Sequence, residues 1–468
     1  MTSMTNSIPE VMDAIESGFD SSVERLSEFL RIQSVSTDPA HDADTAKCAQ
    51  FAADMLSSIG FEANVMKTPG HPMVVAEHPG ASEDAPCILY YGHYDVQPPD
   101  PVDLWTHEAF DPVVVDGENG KRIVARGAVD DKGQVMTFIE AFRAYKEVCN
   151  GLPCRVKVIL EGEEESGSPS LDDFLASHRE DLAADVCIVS DTGMWDITTP
   201  AITTMLRGMV YVEVTLHGPS SDLHSGMYGG AVVNPINELA RLIALIHDEN
   251  GRIQFPGFYD GVEPLSSEIK AQWDELGFDE KAFLGGIGLS HGHGEKQQST
   301  LERVWCRPTC DANGIIGGYT GEGAKTVIAA HARAKLSCRL VAGQNPDAIL
   351  QSIQQFFQDN AHPDCRVEIE SHGCNPAIAI PTDSHWLIAA RTALQEVFDK
   401  DALLIGSGGS IPAVGSIQSI LGIDSLLIGF GLDDDNVHAP NEKFELTCLR
   451  NGIRSHAAVL AALAQSSE

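Results

Sequence analysis

The chain has 468 residues, 43% of them hydrophobic and 21% charged, which is the composition of a globular protein long enough for two domains. It carries 68 acidic against 31 basic residues, a formal net charge of −37. This strongly negative balance argues against nucleic acid and anionic membrane surfaces as partners.

Eleven cysteines are scattered along the chain without any paired CxxC spacing. An odd number, with several in apolar segments, predicts reduced and buried thiols. The first twenty residues are partly acidic and hold no apolar stretch of signal-peptide length, and no run of about 18 apolar residues occurs anywhere. The sequence therefore predicts a cytoplasmic protein.

In the first half of the chain, helix-like and strand-like patterns alternate. Helix-period apolar spacing covers residues 23–31 and 45–59, and Gly60 follows the second segment as a C-cap. A further helix is predicted over residues 133–148, before the last two of five predicted strands. Those strands are residues 61–66, 73–77, 87–91, 156–160 and 186–189. This order predicts an α/β sheet flanked by helices.

After Asp191 the pattern changes to that of a split βαβ, ferredoxin-like unit. The predicted elements are strand 209–217, helix 234–247, strand 328–341, helix 346–359 and strand 366–370. The stretch 248–325 is too long for a plain connector, so we expect it to carry local structure or function. A helix over 386–398, an apolar strand over 425–430 and a helix over 447–464 follow. The ferredoxin-like unit is thus predicted to be inserted into the α/β unit that the first half of the chain begins.

Metal-ligating residue types stand where predicted strands end. His93 and Asp95 follow the strand at 87–91, and open α/β sheets bind ligands beyond the carboxyl ends of their strands. An imidazole at such a position can ligate a metal, and a nearby carboxylate can orient it. Taken alone, such a pair more often belongs to a hydrogen-bonded loop.

Four further segments supply such residues: the acidic run 161–165 after a strand, Asp191 after another, the pair Asp130 and Asp131 in a glycine-bounded loop, and His438 among acids. Each has a structural alternative, such as a solvated acidic face, a capping aspartate or a structural histidine. Crowded carboxylates need compensation, however, which divalent cations provide. Together the segments favour a metal site.

These segments resemble a family of di-zinc metallopeptidases and amidohydrolases that includes carnosinases, cytosolic nonspecific dipeptidases, aminoacylases and succinyl-diaminopimelate desuccinylases. The resemblance covers nearly the whole chain and is greatest to the dipeptidase branch. It implies a zinc-peptidase-like catalytic domain, residues 1–206 and 379–468, with a mixed sheet flanked by helices. Residues 207–378 would form an inserted α+β ferredoxin-like lid and dimerisation domain. The matching blocks are GHYDVQP, ARGAVDDKG, EGEEESGS, SDTGMW, DLHSGMYGG, GAKTV, SCRLVAGQNP, SGGSIP and DDDNVHAPNEK.

The resemblance implies two Zn²⁺ ions per subunit, for which Mn²⁺ or Co²⁺ could substitute. Asp130 would bridge the ions, Asp95 would orient a histidine ligand and Glu164 would be the general base. Because Glu163, Glu164 and Glu165 are consecutive, this choice rests on adjacency to Ser166, and a shift by one residue would exchange base and ligand. The implied ligands are His93 and Asp191 for one ion, Glu165 and His438 for the other, and Asp130 for both.

The resemblance further implies a homodimer in which His224 reaches the partner subunit's active site and stabilises the oxyanion, with Thr326 also contributed to the partner. Arg339, supported by Gly409 and Ser410, would bind the free carboxylate of the substrate. Such a clamp favours short peptides, because a longer C-terminal extension could not satisfy it.

The sequence therefore predicts a cytosolic, homodimeric di-zinc dipeptidase that uses metal-activated water, with Glu164 as base and then as acid. No G-x-S-x-G motif for a serine nucleophile is present. One alternative is an N-acyl amino acid amidohydrolase with the same metals. Another is a non-catalytic metal- or peptide-binding protein, against which the presence of Glu164 argues.

Overall fold

The computed structural model describes residues 7–466. These divide into two units: unit 1 contains the described residues up to Thr204, Ile380–Ile405 and the residues from Pro412 onward, whereas unit 2 contains Met205–Ala379 and Gly406–Ile411. The domain boundaries predicted from sequence lie at 206/207 and 378/379, and the corresponding ones of the structure at 204/205 and 379/380. The structure also assigns Gly406–Ile411 to unit 2, whereas the prediction placed all of residues 379–468 in the catalytic domain. Within residues 7–466, none of the helices combines the length and apolarity that a membrane crossing needs.

Helix α1 begins at Ile8, whereas the sequence pattern predicted its start at residue 23. Its extra turns bury Val11, Ile15 and Phe19, a stripe of apolar residues at intervals of four. The α-helices are, in chain order, α1 (Ile8–Leu30), α2 (Asp42–Ser58), α3 (Lys132–Cys149), α4 (Leu171–Ser177), α5 (Ser225–Tyr228), α6 (Pro235–Ala244), α7 (Ser267–Glu275), α8 (Glu280–Gly286), α9 (Thr300–Trp305), α10 (Pro346–Asn360), α11 (His385–Phe398), α12 (Pro412–Ser416) and α13 (Leu446–Leu463).

Some of the β-strands are too short to show an apolar period in the sequence, so they were not predicted. They are, in chain order, β1 (Glu62–Met66), β2 (Met73–His78), β3 (Cys87–His93), β4 (Val113–Gly117), β5 (Gly120–Val124), β6 (Arg155–Glu161), β7 (Val186–Val189), β8 (Ala201–Leu206), β9 (Gly208–His217), β10 (Leu223–His224), β11 (Thr309–Gly317), β12 (Val327–Ile328), β13 (His331–Leu340), β14 (Arg366–Asn375), β15 (Ile378–Ala379), β16 (Leu403–Ser407), β17 (Ser425–Leu427) and β18 (Lys443–Glu445).

The main sheet of unit 1 contains the order β1-β2-β6-β3-β7-β17-β8. Strand β3 runs parallel to both β6 and β7, whereas β2 is antiparallel to β6. Every residue of β3 and β7 is buried, as expected of parallel strands covered on both faces. The predicted mixed α/β sheet flanked by helices is confirmed. Because β3, β6 and β7 are parallel, their carboxyl ends meet at one edge.

A second, three-stranded sheet in unit 1 has the order β18-β5-β4. Lys443 of β18 pairs with Val124 at the end of β5. This pairing brings the C-terminal acidic loop, which precedes β18, beside the loop 125–131 that follows β5.

Unit 2 contains a four-stranded antiparallel sheet in the order β11-β13-β9-β14. Helices α6 and α10 contact this sheet, and the alternating buried residues of β9 and β13 supply much of the core. Strand β11 lies in the stretch 248–325, for which the sequence predicted no regular element. Only Cys310 of this strand is buried, so the strand has no clear apolar pattern. The core residues of β9 and β13 are Val210, Val212, Val214, Leu216, Ala332, Ala334, Leu336, Cys338 and Leu340.

A buried histidine in α13 is expected to make stability depend on pH. His456 is fully buried, with Nε2 3.1 Å from the Ser190 hydroxyl, and burial lowers its pKa from 6.5 to about 3. Between these two pKa values, His456 binds a proton in the unfolded chain but stays neutral in the folded one, and this difference makes stability depend on pH. Its contribution is complete above pH 6.5 and is lost as the pH falls from 6.5 toward 3, by roughly 1 kcal/mol per pH unit.

The measurement is urea unfolding of chelator-treated protein between pH 7.5 and 5, comparing wild type with His456→Gln, which removes the titrating group. We expect the variant to show a flatter decline below pH 6.5. His178→Gln is the matched control, because this histidine is only partly buried in the loop after α4 and should leave the decline unchanged. Equal slopes for His456→Gln and wild type would contradict the prediction.

Candidate metal centre

Two groups of potential metal ligands in unit 1 share Asp130. His93, Asp130 and Asp191 form one group, and Asp130, Glu165 and His438 the other, with ligating atoms within 4.8 Å of one another in each group. Nε2 of His93 lies 3.1 Å from Oδ1 of Asp130, and Nε2 of His438 lies 2.9 Å from Oδ2. Asp130 therefore presents one carboxylate oxygen to each histidine, as a residue that bridges two cations would.

The sheet topology explains why these residues meet. His93 ends β3, Glu165 lies in a 3₁₀ turn shortly after β6, and Asp191 comes two residues after β7. Ligands of open α/β sheets bind beyond such carboxyl ends. Asp130 precedes α3, and His438 lies in the loop between β17 and β18 with φ at +59°. A left-handed conformation is uncommon for a residue with a side chain, and such strain is typical of functional sites.

The three consecutive glutamates have different environments. The Glu163 carboxylate accepts hydrogen bonds from the backbone N–H groups of His71, at 2.9 Å, and Ser170, at 3.2 Å. Oε2 of Glu165 lies 3.2 Å from Nε2 of His438. Burial raises the pKa of Glu164 to about 7, and the neighbouring Glu165 carboxylate contributes to the rise. Glu163 thus holds backbone in place, which leaves Glu164 and Glu165 for the site.

Asp95 contacts more of the site than the histidine it was predicted to orient. The Nδ1 atom of His93 is 3.1 Å from the main-chain oxygen of Asp95 and 3.4 Å from its carboxylate. That carboxylate also accepts hydrogen bonds from the Ser36 hydroxyl, at 2.6 Å, and from the N–H groups of Glu164, at 3.3 Å, and Glu165, at 3.0 Å. Asp95 is fully buried and connects the His93 strand to the glutamate turn.

Substitutions at His93 and Asp95 are expected to separate metal binding from rate. His93→Ala removes a proposed ligand and should reduce the bound metal, whereas Asp95→Ala should retain metal but lower kcat by about 10- to 100-fold, the usual effect of a residue that orients a ligand. Metal content by mass spectrometry and steady-state kinetics measure both. Ser36→Ala, which leaves the carboxylate in place, is the milder control. Unchanged turnover in Asp95→Ala would show the assignment to be wrong.

The donor set fits divalent metal ions. Nε2 of His93 is buried and makes no hydrogen bond, although Asp130 Oδ1 approaches to 3.1 Å. Burial raises the pKa of Asp191 well above its usual range, and the nearby Asp131 and Asp130 carboxylates add to this rise. A cation beside these carboxylates would offset the repulsion. Two imidazoles and three carboxylates are the nitrogen and oxygen donors that Zn²⁺, Mn²⁺ and Co²⁺ accept.

Glu442 was not identified as a site residue from sequence. Its buried carboxylate accepts hydrogen bonds from the backbone N–H groups of Gly127, at 3.0 Å, Val129, at 3.0 Å, and Asp130, at 3.1 Å. The Arg126 guanidinium also donates to it, at 2.6 Å. Four donors from one loop converge on this carboxylate, so Glu442 determines the conformation of the loop that carries Asp130. Within the acidic motif DDDNVHAPNEK, nothing distinguishes it from its neighbours.

Gln97 belongs to the GHYDVQP block and was not predicted from sequence to be a site residue. Its side-chain amide donates to Oε2 of Glu165 at 2.7 Å, the same oxygen that lies 3.2 Å from Nε2 of His438. Gln97 therefore orients the carboxylate of a proposed ligand.

The remaining predicted site residues lie in unit 2, where they form two groups. His224 is exposed at the end of β10, and its Nδ1 accepts a hydrogen bond from the N–H of Gly226 at 3.0 Å. The next residue, Ser225, donates its N–H to the carbonyl of Thr326 at 3.1 Å, which places Thr326 beside the His224 turn. Both are available to contact another molecule.

Arg339 of β13 contacts the glycine-rich turn. Its guanidinium donates to the Ser410 hydroxyl at 3.1 Å, and that hydroxyl donates to the carbonyl of Arg207 at 2.5 Å. In the same turn, the N–H of Gly409 donates to Ser407 at 3.1 Å. No carboxylate among residues 7–466 forms an ion pair with Arg339. Its charge is thus free for an anionic ligand.

The fold and this donor set define a metal-dependent hydrolase. Residues 89–462 match the model of peptidase family M20/M25/M40, and the chain belongs to this family. It is 31% identical over 465 residues to the Cys-Gly metallodipeptidase DUG1 of Candida albicans, covering 95% of each chain. It is 29% identical over 478 residues to the Beta-Ala-His dipeptidase of Homo sapiens, covering 98% of this chain and 93% of that one.

Among solved structures, the dipeptidase Dug1p of Saccharomyces cerevisiae matches with a TM-score of 0.81 and 27% identity, covering 99% of this chain and 100% of that one. Together with the family match, these similarities confirm the predicted dipeptidase branch. They also confirm a metal-dependent enzyme that hydrolyses dipeptides.

Proposed function

We propose that the protein is a homodimeric di-zinc dipeptidase that cleaves small dipeptides with a free C-terminal carboxylate. The observation that carries this proposal is the pair of ligand groups sharing Asp130. Relatives named Cys-Gly metallodipeptidase and Beta-Ala-His dipeptidase support dipeptides as the substrate class.

In this proposal Asp130 would be a ligand shared by two Zn²⁺ ions, for which Mn²⁺ or Co²⁺ could substitute. His93 and Asp191 complete the first site, and Glu165 and His438 the second, in agreement with the two groups of neighbouring ligand atoms. Bound ions of this kind polarise the scissile carbonyl and acidify water.

Glu164 accepts the proton of the attacking water and delivers it to the leaving amine, so one carboxylate acts as base and then as acid. Its backbone N–H donates to Asp95 at 3.3 Å, and the neighbouring N–H of Glu165 donates to the same carboxylate at 3.0 Å. Asp95 therefore holds the turn in which the base and a ligand are adjacent. Asp95 would thus assist catalysis by fixing the position of Glu164.

Arg339 binds the free carboxylate of the substrate in this proposal. A guanidinium offers paired donors that match a carboxylate, and this one has no protein carboxylate as an ion-pair partner among the described residues. Ser410 and Gly409 supply the turn that supports it. The preference for a free C-terminus makes the enzyme an exopeptidase.

Exposed apolar side chains in two segments of unit 2 support the homodimer. On the outer strand β11, Ile315 is 60% and Ile316 62% exposed, and Tyr319 follows at 46%. In the segment after His224, Met227 is 74% exposed. An outer strand with exposed apolar side chains is a surface that proteins normally cover. A second copy covering it would allow His224 and Thr326 to serve the partner's active site, where His224 stabilises the oxyanion.

The proposed location is the cytoplasm. All eleven cysteines are free, and most are buried. Free thiols in this number support a reducing compartment.

Turnover of unmodified, β-alanyl and N-acetylated dipeptides tests the substrate class. We expect unmodified or β-alanyl substrates to be cleaved with kcat/KM at least about 100-fold above that of N-acetylated ones, because a site built for a polar amine rejects analogues lacking it. Amidating the C-terminus should reduce activity similarly by removing the partner of Arg339. Cleavage of the acylated substrates alone would replace the dipeptidase by an N-acyl amino acid amidohydrolase.

A further inference from the structure

Two cysteines of unit 2 face each other across neighbouring strands. In the antiparallel pair of β11 and β13, Cys310 is directly opposite Cys338, and both belong to the hydrophobic core of the unit. Residues directly opposite in antiparallel strands have Cα atoms about 4.5 to 5.5 Å apart. A disulfide requires Cα atoms about 4.4 to 6.8 Å apart, so the strand register satisfies the Cα distance that this bond needs.

The two thiols differ in their access to small molecules. Cys310, 4% exposed, lines a cavity of about 300 Å³, whereas Cys338 is fully buried and does not line the cavity. Contact with the Cys310 thiol, together with burial, raises the pKa of Cys338 well above its usual range. One reachable thiol and one buried thiol beside it are the arrangement of an attacking and a resolving cysteine.

The cavity favours an anionic reagent. Its acidic residues are fewer than its basic ones, and Glu295 is already neutralised by Arg307, whose guanidinium lies 2.7 Å from the carboxylate. Guanidinium groups attract anions. The charged or titratable residues lining the cavity, apart from Cys310, are Arg207, Arg303, Arg307, His247, His293, Glu295 and Asp311.

We propose that Cys310 and Cys338 form a reversible thiol–disulfide site that reacts with anionic low-molecular-weight disulfides entering this cavity. The Cys310 thiolate attacks one sulfur of the reagent, which forms a mixed disulfide and releases one thiolate. Cys338 then attacks Sγ of Cys310 while its proton passes to the departing sulfur, which leaves as the second thiol. Two protein thiols are oxidised while one disulfide is reduced to two thiols.

The location gives this bond a structural consequence. Strand β11 is an outer strand of its sheet, held by β13 alone, and its pairing contains an irregularity between Ala312 and Gly314. A covalent link at Cys310 would hold β11 in register, and β11 also carries the exposed Ile315 and Ile316. Oxidation is therefore expected to raise the melting temperature of the protein by several degrees.

The test exposes the native, full-length enzyme to oxidised glutathione, blocks free thiols with N-ethylmaleimide, and maps the peptides without reduction. We expect a peptide pair linked through Cys310 and Cys338 that dithiothreitol separates. Cys338→Ser should stop at a glutathione adduct on Cys310, and Cys310→Ser should give neither product.

Two other cysteines serve as controls. Cys187→Ser, in the buried strand β7, should leave the linked peptide pair unchanged, and modification of the partly exposed Cys149 shows that the reagent is active. The proposal is overturned if Cys149 is modified while Cys310 and Cys338 remain free thiols. A link that forms only in denaturant, or no adduct on Cys310 in Cys338→Ser, would also overturn it.

Discussion

Glu164→Gln is expected to lower kcat by about 10²- to 10⁴-fold while the bound metal stays at the wild-type level. Glutamine keeps the size of the side chain but cannot accept the proton of the attacking water. The ligands His93, Asp130, Asp191 and His438 are left intact. Metal analysis and steady-state kinetics on one dipeptide measure the two quantities. A non-catalytic binder would have no hydrolysis to lose.

Glu163→Gln is the matched control for this variant. Its carboxylate bonds to the backbone of His71 and Ser170 and not to the ligand groups, so the change should lower stability more than rate. A kcat within about threefold of wild type is expected, together with a lower melting temperature. Equal losses of rate in the two variants, or loss of metal in Glu164→Gln, would mean that base and ligand have been exchanged along the acidic run.

Mixing two inactive variants is expected to restore activity. Glu164→Gln removes the base of a subunit's own site, whereas His224→Ala removes the residue proposed to serve the partner's site. In a heterodimer of the two, one site has both changes and the other has neither. Equal mixing followed by subunit exchange should therefore give about a quarter of wild-type activity, because half of the dimers are mixed and half of their sites are intact.

The control mixes Glu164→Gln with His93→Ala. Both changes affect the subunit's own site, so every site in the heterodimer retains one defect and activity should stay at the background. Native mass spectrometry confirms that exchange has occurred. If mixed dimers form without recovery in the first experiment, or if His224→Ala is fully active alone, His224 does not act across the dimer.

The strands that carry the candidate site could be predicted because their apolar runs end abruptly in polar residues. His93 and Asp191 lie just where such runs predict the sheet edge. Strand β11 was missed because it buries one residue, Cys310, and exposes Ile315 and Ile316, which gives neither an alternating nor a continuous apolar pattern. Its identity as a strand depends on pairing with β13, which no local pattern reveals.

The environment of Asp130 could not be predicted for a related reason. The hydrogen bond from its N–H to Glu442 joins residues 312 positions apart, and that contact depends on β18 pairing with β5. The roles of Glu163 and Gln97 likewise depend on distant partners, His71 and Glu165. Sequence patterns identify the types of residue at a site, whereas these tertiary hydrogen bonds determine which atom each one presents.

The bonds that Glu442 accepts also bear on how the enzyme would gain and lose its ions. They come from the protein's own amides and from Arg126, so none of these bonds requires a bound ion, and we expect the loop bearing Asp130 to keep its shape without one. Metal exchange would then require only that the ion leave its ligands and that water take its place, because the loop bearing Asp130 would not have to refold. An enzyme built in this way can pass through a demetallated state and return to activity when its metal supply recovers.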